Sequence, residues 1–147
     1  MISAVRKPVF TLVWAFVGIA WTGVAHAGEI DWYSAPRLAS LEAQQSGLPL
    51  LIYFETDFCG YCRRLERTTW ASDAVASVIS ETFVPLRVDA QVESELARRL
   101  GVRGFPTVLV LSPEGQMLER IEGYRDATEM HTLLKEHSEV HVQSGQP

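Results

Sequence analysis

The sequence predicts an α/β fold in which helices flank a mixed central sheet. Short apolar runs of the kind that form buried strands, such as LPLLIYF at residues 48–54, alternate with segments that have helical periodicity. A helix between successive strands favours parallel pairing, whereas the tight turn SPEG at residues 112–115 joins one antiparallel pair. The length of 147 residues and the apolar content of 47% fit a single globular domain.

Start and stop signals divide the chain into elements. Ser34 is the expected N-cap of the first helix, with Pro36 in its first turn and Gly47 at its end. Ser72 is the expected N-cap of a later helix, whose first turn carries Asp73 at the positive end of the helix dipole. The predicted order is a helix at 34–47, a strand at 48–54, helices at 63–70 and 74–83, a strand at 83–90, a helix at 91–101, strands at 107–111 and 116–124, and a helix at 126–137.

Apolar spacing marks the buried faces of the last two helices. In the helix at 91–101 the spacing i, i+4, i+8 is occupied by Val92, Leu96 and Leu100, and Gly101 ends the helix. In the closing helix the residues that share the apolar face are Ala127, Met130, Leu134 and His137.

The first 27 residues have the pattern of a secretory signal peptide. Arg6 and Lys7 precede an uncharged apolar run (8–25), and AHA at 25–27 supplies a small–x–small cleavage site. We expect cleavage after Ala27, export to the periplasm, a domain at 28–137 and a flexible tail at 138–147. The alternative is an uncleaved membrane anchor, because the apolar run is close to the ~20 residues that span a bilayer.

The charge of the chain argues against nucleic acid as a partner. Removing the leader takes away two of the 13 basic residues and none of the 18 acidic ones, which leaves a net charge of −7. Phosphate contacts need clustered Lys and Arg, and the one basic cluster is Arg63, Arg64 and Arg67. The expected surface or edge histidines are His131, His137 and His141, while His26 leaves with the leader.

Cys59 and Cys62 are the two cysteines of the chain, within the stretch FETDFCGYCRRLE. Such a pair can be a redox couple, half of a metal site or a structural clip. A clip is a weak explanation, because so short a loop gives a disulfide little stabilising value. A complete structural zinc site needs four ligands, so a Zn or Cu carrier would need a dimer or ligands from a partner. A C-x-x-C after a buried strand in a βαβ pattern favours the redox couple.

The stretch from about Leu48 to Lys135 resembles the thioredoxin superfamily. The motifs that carry the resemblance are YFETDFCGYCRRLE, TTWASDAV, LRVDA, LGVRGFPTVLVLSPEG and GY, in that order. More narrowly, they are similar to exported thioredoxin-like domains such as the C-terminal domain of the transmembrane thiol:disulfide interchange reductase. The resemblance implies a thioredoxin-like fold, a cis peptide bond before Pro106, and thiol:disulfide oxidoreductase activity with the cysteine pair in place of a bound cofactor or metal.

The cysteines have different expected roles. Cys59 would cap the helix from Gly60 to Trp70, where free N–H groups and the helix dipole favour a thiolate, so it is the expected nucleophile. Cys62 lies nearly one turn later and deeper, and would resolve the mixed disulfide. Glu66, one turn further on, would disfavour a Cys62 thiolate. In the alternative interpretation Glu66 is a solvated residue paired with Arg63 or Arg67.

Aromatic residues form a predicted substrate-binding rim around Cys59. The rim consists of Phe58, Tyr61 and Phe105, and the backbone of Phe105, with Thr107 after it, would pair with an extended substrate peptide. The alternative for Phe58 is partial burial in the core. Trp70 is expected in the core, and Trp32 has no predicted place.

Two positions depart from the family pattern. Members commonly have a buried Asp six residues before the first cysteine and a Lys partner on the neighbouring strand, where this chain has Tyr53 and Pro85. Candidate substitutes for proton handling are Glu55, Asp57 and Glu66. The Gly60–Tyr61 dipeptide also occurs in the periplasmic disulfide isomerase family, so reductase, isomerase and oxidase stay open, with reductase favoured. We expect a monomer that exchanges disulfides with exported proteins and receives electrons from a membrane donor.

Overall fold

The computed structural model describes the backbone of residues 28–144 and the side chains of residues 28–138. The predicted signal peptide at 1–27 lies outside the described residues. Within the described part of the chain, none of the helices combines the length and apolar character needed to cross a membrane.

The sheet is mixed, as the sequence predicts, and its four strands are Leu50–Glu55 (β1), Val84–Asp89 (β2), Thr107–Leu111 (β3) and Met117–Glu122 (β4). They lie in the order β2–β1–β3–β4, with β1 parallel to β2 and antiparallel to β3, and with β3 antiparallel to β4. The sheet thus has two antiparallel pairs instead of the one predicted, because β3 pairs with β1 on the side away from β2 and runs against it, although a helix precedes it. The predicted tight turn joins the last two strands, because the Gly115 N–H donates to the Ser112 carbonyl at 2.8 Å.

Five helices cover the two faces of this sheet in the described residues. Their bounds are Pro36–Ser46 (α1), Gly60–Leu65 (α2), Asp73–Thr82 (α3), Ser94–Arg99 (α4) and Ala127–Ser144 (α5), and a π-helical turn, Glu66–Trp70, continues α2. One face of β1, with Leu51 and Tyr53, packs in a core that includes residues of α2, α3 and α5. The other face, with Ile52 and Phe54, packs against α1 and α4.

Several helix ends differ from the sequence prediction. The N-cap of α1 is Ala35 instead of Ser34, and Pro36 is its first residue. The reason is a tertiary contact. Tyr33 forms a β-bridge with Leu86 of β2, so the chain stays extended through Ala35 and the helix begins at Pro36. Ser72 does occupy the N-cap of α3, but its side chain makes no capping hydrogen bond. Gly47 ends α1 with a left-handed φ of 72°, as predicted.

The last two helices also deviate from their predicted bounds. Because α4 begins only at Ser94, Val92 lies before it and is 76% exposed, so its predicted place on the buried face is wrong. Leu96 and Leu100 do pack against the core. Helix α5 continues to Ser144, beyond the predicted domain end at 137. His137 is half-buried, and its Nε2 lies 2.9 Å from Glu119 Oε2.

Candidate redox site

Cys59 and Cys62 form a disulfide where the chain passes from β1 into α2. Cys59 is the N-cap of α2, as predicted, and its Sγ accepts a hydrogen bond from the Cys62 N–H at 3.0 Å. This backbone N–H is one of those left free at a helix start, and in the reduced protein it would favour a thiolate at Cys59. The predicted helix from Gly60 to Trp70 is present as α2 followed by the π-helical turn.

The two sulfurs differ in access. Cys59 is 9% exposed, whereas Cys62 is 1% exposed and packs in the core with Leu65 and Val108. Cys59 is therefore the more accessible residue of the pair. The roles of nucleophile and resolving residue stay predictions.

The three aromatic residues predicted as a rim around Cys59 have exposed side chains. Phe58 is 88% exposed, Tyr61 62% and Phe105 36%, so the core alternative for Phe58 is wrong. The Tyr61 ring lies 6.5 Å from the ring of Tyr124, whose face is covered by the Arg64 guanidinium at 4.4 Å. Exposed apolar rings beside a reactive sulfur form a surface suited to apolar side chains of a partner.

The loop before β3 lies at the same end of the sheet as the cysteines. Phe54 at the end of β1 is paired with Thr107 at the start of β3, which places Phe105 and Pro106 beside the segment that leads into Cys59. The Phe105–Pro106 peptide bond is cis. Thr107 is buried and its hydroxyl donates to the Gly104 carbonyl at 2.8 Å, so its side chain stabilises this loop.

Aromatic side chains pack in the core on the buried side of the disulfide. Tyr53, fully buried, donates from its hydroxyl to the Cys62 carbonyl at 3.5 Å. Its ring lies 5.5 Å from that of Trp70 and 5.8 Å from that of Trp32, which has no predicted place in the sequence. Burial raises the pKa of Tyr53 far above its usual value, and the Glu66 and Glu55 carboxylates raise it further. Tyr53 therefore stays a neutral phenol.

Next to Tyr53, one arginine joins two carboxylates. Arg87 donates from Nε to Glu55 at 2.5 Å and from Nη2 to Glu66 at 2.6 Å. Burial raises the pKa of Glu66, the Arg87 charge opposes this, and the Glu55 carboxylate adds to the rise. The alternative prediction that Glu66 pairs with Arg63 or Arg67 is wrong, because its partner comes from β2.

Glu55 and Arg87 form an ion pair close to the two positions that depart from the family pattern. Alternate residues of a strand share a face, so Tyr53 and Glu55 lie on one face of β1, and Pro85 and Arg87 on the same face of β2. The acid and the cation thus each lie two residues beyond the family positions. The sequence prediction missed Arg87. The available signal is an arginine between the apolar residues Leu86 and Val88 of a predicted strand.

The remaining candidates lie apart from this cluster. Asp57 is exposed, and its backbone carbonyl accepts from Arg63 Nη1 at 2.9 Å. Gly60 is the first residue of α2, with open space where a Cβ would stand. Among residues 28–138 no three His, Cys, Asp or Glu side chains are placed to hold one metal ion.

A family model for the thioredoxin-like domain matches residues 37–138. The chain belongs to this family. It is 31% identical over 129 residues to the thiol:disulfide interchange protein DsbD of Klebsiella pneumoniae. The alignment covers 84% of this chain and 21% of that protein. The chain thus spans about a fifth of the curated DsbD relatives that it matches.

Solved structures agree with this assignment. A thioredoxin from Thermus thermophilus superposes with a TM-score of 0.70 at 27% identity, covering 80% of this chain and 94% of that one. The reduced C-terminal domain of DsbD from Neisseria meningitidis has the same fold, with a TM-score of 0.59 at 20% identity over 68% of this chain and 91% of that one. Family, fold and cysteine pair identify this chain as a thioredoxin-like domain with a disulfide at the start of a helix.

Proposed function

We propose that the protein is exported to the periplasm, matures to begin at Gly28, and reduces disulfides of other exported proteins. The observation that carries this proposal is the Cys59–Cys62 pair at the start of α2, with the accessible sulfur inside an exposed aromatic rim. Similarity to the DsbD proteins, which are thiol:disulfide interchange proteins, supports thiol–disulfide exchange as the reaction. The reducing direction is favoured by the resemblance of the sequence motifs to the exported reductase domain.

The reaction begins at Cys59. Its thiolate attacks one sulfur of the client disulfide, forms a mixed disulfide, and expels the other client sulfur as a thiolate. The free N–H groups at the start of α2 stabilise the attacking thiolate. The exposed ring of Phe58 and the loop at Phe105 hold the client chain across the site.

Cys62 completes the exchange. Its thiol must lose a proton before the sulfur attacks Cys59, and the residue is almost fully buried. Glu66 is the candidate acceptor, because it follows Cys62 by one helical turn and its own N–H donates to the Cys62 carbonyl. Tyr53 cannot take this role as a base, since its raised pKa keeps it protonated.

The reduced pair must be regenerated in an oxidising compartment. A membrane protein that delivers electrons from the cytoplasm would re-reduce the Cys59–Cys62 disulfide, acting on a monomer of this chain. The alternatives are disulfide isomerase and oxidase, and a metal carrier is the less favoured third. A protein disulfide-isomerase of Datisca glomerata is 31% identical over 91 residues and covers 60% of this chain.

Direction is tested by the reduction potential of the pair, measured by equilibration with defined thiol–disulfide buffers. A reductase predicts a value near that of thioredoxin, about −270 mV, whereas a value near about −120 mV would identify a disulfide donor.

Export is tested separately, by N-terminal sequencing of the protein from a periplasmic fraction. Cleavage predicts Gly28 as the first residue. A chain that keeps residues 1–27 and sediments with membranes would establish the anchored alternative instead.

A further inference from the structure

An open groove with two arginines lies between the end of α4 and the loop at 101–105, and its volume is about 450 Å³. Arg98 lines it from the last turn of α4, and Arg103 lines it from the loop. Phe105, one of the three predicted rim residues, lines it as well. The other lining residues are small or apolar, and none of them is acidic. We call this surface the basic groove, and it shares Phe105 with the predicted client surface beside Cys59.

The positive charge of the basic groove is not neutralised by the described chain. Arg98 and Arg103 are exposed, and among residues 28–138 no carboxylate oxygen lies within 4.0 Å of either guanidinium. Even Glu95, three residues before Arg98 on α4, forms no ion pair with it. The whole chain, in contrast, has a formal net charge of −5. A local excess of positive charge on an acidic protein is available to an acidic partner.

The loop that carries Arg103 is fixed at both ends. On one side, the Val102 N–H donates to the Ala97 carbonyl of α4 at 2.9 Å. On the other side, the Thr107 hydroxyl donates to the Gly104 carbonyl at 2.8 Å. The groove is therefore a formed surface, and little chain entropy is lost when a partner binds to it.

The end of α4 does not by itself explain the charge in the groove. Arg98 and Arg99 both lie in the last turn of α4, where a cation offsets the negative end of the helix dipole. Arg99 has this position without lining the groove, and Arg103 lines the groove from outside the helix. Arg99 is thus a matched control for the charge of the helix end.

The distance from the rim to the arginines fixes which client residue can reach them. The Phe105 N–H makes no hydrogen bond with the part of the chain that the structure describes, so it is free to pair with an extended client. Arg103 lies two residues before Phe105, which is about 7 Å along an extended chain. A client residue about two positions from the client's reacting cysteine would therefore lie opposite Arg103.

We propose that the basic groove selects clients whose extended segment carries an acidic side chain about two residues from the reacting cysteine. Arg98 and Arg103 bind its carboxylate, because a guanidinium fork matches the two oxygens of a carboxylate. This inference rests on the proposed function and names the substrate class of the same site.

A short peptide joined through its one cysteine to a nitroaryl thiol measures this selection. The Cys59 thiolate of the reduced full-length protein bonds to the peptide sulfur. The bond between the peptide sulfur and the aryl sulfur breaks, and its electron pair leaves on the coloured aryl thiolate. Stopped-flow absorbance then gives a second-order rate for each peptide.

Peptides are compared in pairs that differ only in Glu against Gln. One pair has this residue two positions before the cysteine and the other two positions after it, because a client chain can run in either direction along the groove. Each Glu-to-Gln ratio of rates is divided by the ratio that a small neutral thiol gives. For one of the pairs, wild type should favour the Glu peptide about three- to tenfold at about 20 mM salt. The preference should approach one at about 0.5 M salt, because salt screens exposed charges.

Two kinds of variant test the arginines. In Arg98→Gln/Arg103→Gln the ratio at low salt should fall to about one, whereas Arg99→Gln should change neither the ratio nor the rates. Arg103→Glu should reverse the preference, so that a Lys peptide reacts faster than the Glu peptide. Where the double variant does not fold by circular dichroism, each single Gln variant should lower the ratio and decides in its place.

Three results would overturn the role of the basic groove: a wild-type ratio near one for both pairs, a ratio that survives in Arg98→Gln/Arg103→Gln, or an equal fall in Arg99→Gln. A wild-type dimer that the double variant abolishes would assign the groove to a second copy of the chain and overturn the client. The proposed function fails in a different way. In that case no peptide would react faster with wild type than with Cys59→Ser. A reduction potential near that of a disulfide donor would change the direction of exchange and leave the ratio as it is.

Discussion

The two sides of the Cys59–Cys62 disulfide differ in the exposure of their aromatic residues and in their charge. On the Cys59 side, the rings of Phe58, Tyr61 and Phe105 are exposed, and the Tyr61 ring lies 6.5 Å from that of Tyr124. On the Cys62 side, Tyr53 and Trp70 are buried, and Arg87 binds two carboxylates. The outer side leaves apolar rings exposed, whereas the inner side is closed by packed rings and a network of charges. Access and charge are thus separated across one short disulfide.

The largest expected effect comes from replacing the two cysteines. Cys59→Ser should reduce exchange to the background without enzyme, whereas Cys62→Ser should still attack and accumulate a mixed disulfide with clients. Non-reducing electrophoresis of the two variants with a disulfide-bonded client measures this difference. Both variants should stay folded, because a loop of four residues contributes little to stability. Trapping by Cys59→Ser instead of Cys62→Ser would reverse the assigned roles.

The second effect concerns the packing of the inner side. Tyr53→Ala removes a fully buried ring that packs against Trp32 and Trp70 and should cost about 3–5 kcal/mol in the free energy of unfolding. Tyr53→Phe keeps the ring and loses only the 3.5 Å hydrogen bond to Cys62, at about 1 kcal/mol or less. Urea unfolding of the oxidised variants gives both numbers. Equal losses would mean that the hydroxyl, and not the ring, supports the site.

A third effect tests the charge state of the inner side. The pKa of Glu66 is raised by burial above its usual 4.5, so between that value and its folded pKa the native state binds more protons than the unfolded state. The Glu66 contribution to stability should therefore be fully present at a pH below 4.5 and decrease as the pH rises through this window. The difference in unfolding free energy between wild type and Glu66→Gln, measured against pH, should decrease accordingly. An increasing difference would show that the Arg87 ion pair outweighs burial.

The smallest expected effect is on the outer side. Phe58→Ser removes an exposed ring, so stability should change by less than about 0.5 kcal/mol. If the ring contacts clients, KM for a protein substrate should rise several-fold while the rate with a small aryl disulfide stays constant. Val92→Ser, which removes an exposed side chain before α4, is the matched control. An equal loss with both substrates would mean that Phe58 supports the cysteines directly.

Most of the fold was predictable from the sequence because it depends on short-range patterns. Buried strands, the glycine at the end of α1 and the tight turn at 112–115 are each specified by residues within a few positions of one another. The cysteine at a helix N-cap is of the same kind. The errors at Ser34 and Val92 fall where a neighbouring strand, or the late start of a short helix, decides the local conformation.

The sequence by itself determined the fold class, the thioredoxin-like resemblance and the place of Cys59 at the start of a helix. Only the tertiary structure decided which cation meets Glu66, where Trp32 lies, and that Thr107 faces its own loop. The physical reason is distance along the chain. Glu66 and Arg87 are 21 residues apart, and their contact depends on the register of β1 against β2, which no local spacing encodes.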